Sequence, residues 1–380
     1  MRNLLFILPT FEIGGTTVST RNLLSLLDKE TYDITVWCLD GQGLLKGLYD
    51  ETPQVQTTFF VHALAVPSWK TEKGLLRKAA VAVMRQSRRF PALYRYLIRH
   101  SVHKVLGKKR FDSVIACEEE FATMFATYIP TSNRIAWVRC DYKQYFNRHK
   151  CIKEPFYDDY QHIVCVAEHT TKNFTVIYPE LKDRTVCIYN PQDSNFILSQ
   201  SAIDDHDIRF STGKTVIISM GRLDDIKRFT MIPPIARQLK EKGMDFVWYI
   251  IGDGDERQAI ANAISLNDVG DSVVMLGAKS NPHFYIKHAD LYVCLSVSEA
   301  CPRVINEAKI LGTPVVSTDF PTVYEYIEDK MNGRIASIEN IPHAIEEMLT
   351  DTVLYNRIKE NISSFKFDNS GLIKQVEAIL

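Results

Sequence analysis

Residues 215–227 read Thr-Val-Ile-Ile-Ser-Met-Gly-Arg-Leu-Asp-Asp-Ile-Lys, and the reading of this stretch decides the fold. Its first six residues form a short, continuous apolar run rich in β-branched side chains, the pattern of a strand covered on both faces. Gly221 lets the chain turn sharply where the strand ends, because a residue without Cβ reaches backbone conformations closed to the others. A helical pattern, Met231–Lys242, comes next. Strand, glycine turn and helix make half of a βαβ unit, so a parallel sheet is predicted.

The same alternation extends in both directions. Toward the N-terminus the strand candidates are Asn3–Leu8, Asp33–Cys38, Ser113–Cys117, Arg134–Val138, Ile163–Ala167 and Val186–Tyr189. Toward the C-terminus they are Phe246–Ile251, Val273–Leu276, Leu291–Ser296 and Pro314–Thr318. Helical patterns at Thr16–Leu27, Asp255–Asn267, Pro302–Leu311 and Ile341–Leu349 separate several of them. These strands suffice for two sheets, and a chain of 380 residues exceeds the roughly 250–300 at which one core stops growing. The expected fold class is therefore α/β, with two Rossmann-like doubly wound parallel-sheet domains facing a cleft. Residues 1–193 make the first domain, 194–213 a polar, acidic linker, 214–365 the second domain, and 366–380 a C-terminal helix packing back on the first. In open parallel sheets ligands bind outside the carboxyl ends of the strands, which makes the cleft the expected site.

Composition removes whole classes. A hydrophobic fraction of 46% with 24% charged residues excludes disordered, collagen-like and coiled-coil chains. No run of about 18 apolar residues is present to cross a membrane. The apolar stretch Leu4–Leu8 is too short for an export signal and is followed by Pro9 and Glu12, so it reads as a strand. The eight cysteines are scattered without a CxxC pair and read as small core residues of a cytoplasmic protein. The histidines show no metal-ligand spacing, so no metal is expected.

Net charge is −1 but polarised: residues 1–193 carry 26 Lys and Arg against 20 Asp and Glu. Thirteen of the cations and a single acid, Glu72, fall between Lys70 and Arg110, interleaved with residues such as Leu75, Leu76, Val83, Phe90, Leu93 and Tyr96. A cationic amphipathic surface suits an anionic membrane; the same residues also read as ordinary solvated helices. Without a nucleic-acid motif or a basic overall charge, nucleic acid is not an expected partner.

Three segments carry chemistry. After the strand at 215–220, Arg222 and Lys227 can reach one point from a short loop and suit a diphosphate, one as a planar fork and the other as a point charge. The loop equally reads as exposed, with Arg222 paired to Asp224 or Asp225. After the strand ending near Ser296, Pro302 opens a helix that Gly312 closes. Backbone amides at Ala300, Cys301, Arg303 and Val304 would face an anion there. Glu299 and Glu307 lie eight residues apart across the loop-to-helix corner, spaced to touch different hydroxyl groups of one elongated ligand. Gly14-Gly15, after the first strand, allows close approach to a phosphate or sugar but lacks a dinucleotide fingerprint. Asp253-Gly254-Asp255 reads as a structural glycine turn and not as a metal motif.

In this order and spacing, Gly221-Arg222-Leu223…Lys227, Ile251-Gly252-Asp253-Gly254, Leu276-Gly277, Ser296…Glu299…Glu307-Ala308, Gly312-Thr313-Pro314-Val315-Val316 and Asn332-Gly333 resemble the retaining glycosyltransferases of family 4, group 1, with the GT-B fold. The resemblance implies a metal-independent, retaining hexosyltransferase with no cofactor beyond its nucleotide-diphosphate sugar. Arg222 and Lys227 would hold the diphosphate, Glu299 the sugar hydroxyls and Glu307 the ribose. Gly221, Gly277, Pro302 and Arg303 would line the donor, its base stacking near Gly277–Lys279. Together with the basic first domain, it leads to the expectation of a lipid-linked saccharide acceptor, cell-surface polysaccharide synthesis and a peripheral location on the inner face of the plasma membrane. The sequence departs from the family at Arg228, where Gly is usual, and at Arg139, which stands where many relatives place a His near the donor sugar. Glu118, Glu119 and Asp141 are candidate acceptor contacts. A non-catalytic GT-B-like subunit, or an epimerase of the same fold, fits the pattern as well.

Overall fold

The computed structural model describes residues 1–12, 14–65, 74–149, 155–204 and 213–380, with the side chains of 146–149 and 155 outside the description. Two compact units emerge: Met1–Pro191 together with Asn369–Leu380, and Gln192–Asp368.

The first unit follows the chain as β1 (Arg2–Leu8), α1 (Gly15–Leu26), β2 (Tyr32–Cys38), α2 (Phe59–Ala65), α3 (Leu75–Gln86), α4 (Pro91–Leu106), β3 (Ser113–Ala116), α5 (Phe121–Ala126), β4 (Asn133–Val138), α6 (Tyr142–His149), β5 (His162–Cys165), α7 (Glu168–Ile177) and β6 (Thr185–Cys187). Its sheet is wholly parallel in the order β2-β1-β3-β4-β5-β6. Leu4 to Leu8 are fully buried, as the unbroken apolar run requires of a strand covered on both faces.

The second unit contains α8 (Ser194–Ser201), β7 (Thr215–Met220), α9 (Ile232–Glu241), β8 (Phe246–Ile251), α10 (Arg257–Leu266), β9 (Val273–Gly277), α11 (His283–Lys287), β10 (Leu291–Cys294), α12 (Arg303–Ile310), β11 (Val315–Thr318), β12 (Arg334–Ala336), α13 (Ile341–Thr350) and α14 (Thr352–Ser363). Its sheet is parallel too, ordered β12-β11-β10-β7-β8-β9. Two buried polar side chains in it satisfy each other: Trp248 Nε1 donates to Ser219 Oγ at 3.0 Å, and that hydroxyl donates to the Val293 carbonyl at 2.6 Å, avoiding the penalty of unpaired groups.

Two differences from the sequence reading, at α8 and at a twelfth strand, have physical causes. Residues 194–201, read as linker, form α8, whose first turn is capped by Asp193 accepting from the Phe196 amide at 2.9 Å; its buried Ile197 belongs to the second unit. The remainder of that linker, 205–212, lies outside the described residues, as do Lys70, Glu72 and Lys73 of the basic segment. The three-residue β12 is too short to leave a periodicity. The last helix, α15 (Ser370–Ile379), belongs to the first unit. Asn133 Nδ2 donates to the Ile379 carbonyl at 2.8 Å, and Val376 is fully buried.

Candidate donor site at the strand ends of the second unit

The second sheet reverses direction between β7 and β10: β8 and β9 extend one way from β7, β11 and β12 the other way from β10. Such a switch point opens a crevice at the carboxyl ends of the two central strands. The loops leaving β7 and β10 are joined there by one backbone bond, Val297 N–H to the Ile226 carbonyl at 2.8 Å.

Lys227 and Glu299, 72 residues apart in sequence, face each other across this junction as an ion pair with side chains 23% and 15% exposed. Burial, the largest single influence, would lower the Lys227 ammonium, but the charge and hydrogen bond of Glu299 together with the neighbouring Cys294 and Asp224 outweigh it and hold the pKa above the ordinary lysine value. The ammonium therefore stays charged through neutral pH. Ser296 Oγ donates to Glu299 Oε1 at 2.7 Å and Thr322 Oγ1 to the Glu299 carbonyl at 2.6 Å, which fixes the carboxylate while leaving Oε2 for a ligand hydroxyl.

Arg222 does not converge on Lys227 side chain to side chain. Its Nε donates to Asp224 Oδ2 at 2.7 Å and the side chain is 75% exposed; the pairing open in the sequence is the one formed. Asp224 nevertheless links the two cations, since its Oδ1 accepts from the Lys227 backbone N–H at 3.1 Å. One carboxylate thus orients a solvent-facing guanidinium and shapes the turn that carries the lysine.

The floor is made of glycines because the loops touch backbone to backbone. A Cβ on Gly252 would lie 1.8 Å from the Gly221 carbonyl oxygen, and one on Gly254 2.5 Å from that of Leu223. Gly221 N–H reaches the Ile251 carbonyl at 3.0 Å, Leu223 N–H the Asp253 carbonyl at 3.0 Å and Gly252 N–H the Gly277 carbonyl at 2.9 Å. The Asp253-Gly254-Asp255 turn is accordingly a packing element.

At α12 the picture differs from the sequence reading. Glu307 is only 4% exposed, with Oε1 held by Arg303 Nη2 at 2.5 Å and Oε2 3.9 Å from His283 Nε2. His283 is kept neutral mainly by burial, against the pull of Glu307. The Arg303 amide donates back to the Cys301 carbonyl at 2.8 Å, so it is not presented to a ligand. Ala300 and Cys301 are partly exposed, as is Val304, while Pro302 is buried; Cys301 Sγ accepts from Tyr326 O–H at 3.0 Å. The sequence missed Lys309, buried on the inner side of α12 with its ammonium on the Tyr326 carbonyl and over the Phe365 ring. Burial pushes it down to about 8. A lysine in a helical apolar pattern looks solvated, so no local signal announced it.

In the first unit, Gly14 and Gly15 open α1 as exposed residues with no neighbour that a Cβ on Gly15 would meet. Arg139, set where the family places its histidine, spends its donors inward: Nε on the Cys117 carbonyl at 2.6 Å, Nη1 on Ser19 Oγ at 2.6 Å and Asn190 Oδ1 at 2.5 Å, Nη2 on Thr20 Oγ1 at 3.4 Å. It staples α1 to the ends of β3 and β4, which does not fit a sugar contact. Glu119 is buried and accepts the amides of Arg139 and Cys140 at 2.5 and 2.9 Å. Asp141 caps α6 through the Lys143 amide at 3.1 Å and holds Asn173 Nδ2 at 2.9 Å. Both are structural acceptors in this arrangement.

Glu118 is different. Burial first, then Glu119, raise its carboxyl to about 7, against the opposing charge of Arg139. A carboxyl raised in the folded state stabilises below its unfolded value near 4.5 and loses that stability as pH rises through about 7. Glu118→Gln should therefore raise Tm at pH 8, by the equivalent of about 2–3 kcal/mol, with no gain at pH 4; thermal melts across that range check it.

Among the described residues, no cluster of three or more His, Cys, Asp or Glu is placed to hold a metal.

Residues 201–365 match the model of the group 1 glycosyl transferases. The second unit is a group 1 glycosyltransferase domain. Over 165 residues, 42% of this chain and 46% of the relative, the chain is 27% identical to an uncharacterized glycosyltransferase of Haemophilus influenzae. Over 272 residues, 66% of each, it is 24% identical to one of Methanocaldococcus jannaschii. It is 32% identical over 149 residues to the lipopolysaccharide core biosynthesis glycosyltransferase LpsE of Rhizobium meliloti, covering 38% of this chain and 42% of LpsE. These matches span between about half and two thirds of the first two relatives' own lengths. The fold extends further. Anabaena HepE, solved in complex with UDP-glucose, aligns with a TM-score of 0.74 over 100% of this chain and 99% of its own at 16% identity. The lipopolysaccharide outer core galactosyltransferase WaaB aligns at 0.66 with 14% identity and the same coverage. Two parallel α/β sheets in one chain are the GT-B architecture, so the expected α/β class with two doubly wound parallel-sheet domains holds.

Proposed function

We propose that this chain transfers a hexose from a nucleotide-diphosphate sugar to a saccharide acceptor, with retention and without a metal. The observation that carries it is the Lys227–Glu299 pair at the switch point. When the bond between the anomeric carbon and the diphosphate oxygen breaks, negative charge develops on the leaving group. The charged Lys227 neutralises it without reorganising, which is where such sites gain most of their rate; Arg222, solvent-facing on Asp224, joins it only by turning inward. The Oε2 of Glu299 takes sugar hydroxyls. The acceptor hydroxyl attacks the face the diphosphate leaves, and its proton passes to a diphosphate oxygen. Glu307 can serve the ribose only through its Oε2, because Arg303 occupies the other oxygen.

LpsE and the amylovoran biosynthesis glycosyltransferase AmsK of Erwinia amylovora support a role in making polysaccharide or lipopolysaccharide; the acceptor we propose is lipid-linked, at the cytoplasmic membrane surface. No helix among the described residues is long and apolar enough to cross a membrane. Incubation with radiolabelled UDP- and GDP-hexoses and a membrane lipid extract tests the activity. Label entering the lipid phase, undiminished by EDTA, is expected. Conversion of the donor alone would mean an epimerase, and label remaining wholly in intact donor would defeat the proposal.

The surface contact is α3 and α4, where Leu75, Leu76, Val83, Phe90 and Tyr96 are 63–87% exposed. Arg88 is not a candidate there: it donates to the Leu64 carbonyl at 2.8 Å and lies 4.7 Å over the Phe121 ring. The exposed Arg89, Arg95 and Arg99 are. Changing these three to Gln should weaken co-sedimentation with phosphatidylglycerol vesicles at least tenfold, about 1 kcal/mol being lost per cation; unchanged binding would remove the membrane contact.

A further inference from the structure

We propose that His283 is a positioning residue for the nucleotide ribose: as an uncharged ring it borders the Glu307 oxygen that Arg303 does not hold and leaves that oxygen uncommitted, so the preference for ribose over 2′-deoxyribose depends on the charge of this imidazole. The inference rests on the reading of Glu307 as the ribose contact and adds to it the group that controls that contact.

The arrangement is built where α8, α11 and α12 pack together in the second unit. His283 opens α11 and is buried. The Phe196 ring of α8 stands edge-on to it, with centroids 6.2 Å apart and planes at 86°. From α12, Glu307 presents two oxygens with unequal neighbours: Oε1 is held by Arg303 Nη2 at 2.5 Å, and Oε2 lies 3.9 Å from His283 Nε2. A separation of 3.9 Å is beyond a hydrogen bond, so the ring borders Oε2 without occupying it.

The surroundings keep the ring neutral. The carboxylate favours a proton on Nε2, so a second proton would go to Nδ1, which is buried without a hydrogen-bond partner among the described residues, a costly place for an N–H. Burial, the largest influence, lowers the imidazole pKa; Glu307 opposes it and Arg303 reinforces it. Other charges are engaged elsewhere. The α8 segment Ser194–Ser201 has no ionisable side chain. On α11, Lys287 Nζ donates to the Leu311 carbonyl at 3.0 Å and His288 Nδ1 lies 2.8 Å from the Phe284 carbonyl; Lys279 lies 5.6 Å over the Tyr285 ring. Protonation changes the pair in one direction: a charged ring is drawn onto Oε2 as Arg303 is onto Oε1, and a ribose hydroxyl loses its acceptor. A 2′-deoxyribose, with one donor fewer, loses less. The ribose preference should therefore shrink as pH falls below the ordinary histidine value near 6.5.

Calorimetric titration of UDP, 2′-deoxy-UDP, GDP and 2′-deoxy-GDP into the full chain, at about pH 7.5 and about pH 5.5 on either side of the histidine value, tests it. Both members of a pair carry the same diphosphate, so its own ionisation cancels in the ratio of their affinities. The wild type should prefer ribose about tenfold at the higher pH, the worth of a hydroxyl on a charged acceptor, and the ratio should shrink about threefold or more at the lower pH. His283→Gln, which keeps an uncharged donor beside Glu307, should give the same ratio at both. Histidine NMR on the nucleotide-free protein supplies a second readout: Glu307→Gln should move the His283 titration midpoint further down, because the carboxylate is what draws the proton on. A ribose preference flat in pH in the wild type, one still pH-dependent in His283→Gln, or a midpoint unmoved by Glu307→Gln overturns the role of His283 and leaves the donor reading standing. Absence of any ribose preference overturns the Glu307 contact as well, and binding of neither diphosphate overturns the donor reading with both.

Discussion

Lys227→Ala should reduce sugar transfer by roughly 10²- to 10³-fold, mostly in kcat, the range found when one preorganised group is removed from a developing negative charge. The reason lies in the site's topology. Lys227 and Glu299 come from the loops after the two strands flanking the switch point, and the Glu299 carboxylate, by charge and hydrogen bond, together with Cys294 and Asp224 keeps the ammonium charged despite its burial. Removing one partner leaves the other shielded and uncompensated, which costs stability of its own. The Lys227→Met, Glu299→Gln double variant separates the effects: it should fold with a Tm close to wild type and remain inactive. An active double variant would remove Lys227 from the chemistry. Asp224→Asn should give a smaller loss, because it frees Arg222 and the Lys227 turn without deleting either cation.

The largest effect on the fold should come from Gly252→Ala. The new methyl would sit 1.8 Å from the Gly221 carbonyl oxygen at a backbone φ of +146°, so strain and overlap add. Its neighbour is backbone already committed to β8, which cannot move aside as a flexible side chain would. A loss above about 3 kcal/mol is expected, beyond the 1–3 kcal/mol typical of overpacking, and the second unit should melt at a lower temperature in calorimetry. Gly15→Ala is the control: a Cβ there meets nothing within 4 Å, and Tm should hold.

How much of this was legible in the sequence depended on the kind of signal. Strands such as Thr215–Met220 and Phe246–Ile251 were read to the residue, because a strand buried on both faces leaves an unbroken apolar run. Helix α8 was read as linker because its short amphipathic face is diluted by Ser and Asn. Side-chain partnership is where the sequence falls short. Arg222 was placed on the right loop, but its choice of Asp224 over Lys227's side of the turn is decided by distances of a few ångströms. Arg139 stood at a position that suggested a sugar contact, and only the folded chain brings Ser19, Thr20 and Asn190 to it from far along the sequence. The burial of Glu307 and Lys309 on α12 likewise depends on α8, α11 and the 320–327 segment arriving around them.

The claim that Lys227 grips a diphosphate is tested most directly by calorimetric titration of UDP, GDP and their nucleosides into wild type and Lys227→Met. Whichever diphosphate binds the wild type more tightly should lose at least 30-fold in affinity in the variant, and its nucleoside, which has no phosphate to grip, should bind both proteins alike. Equal diphosphate affinity for the two proteins would contradict the account.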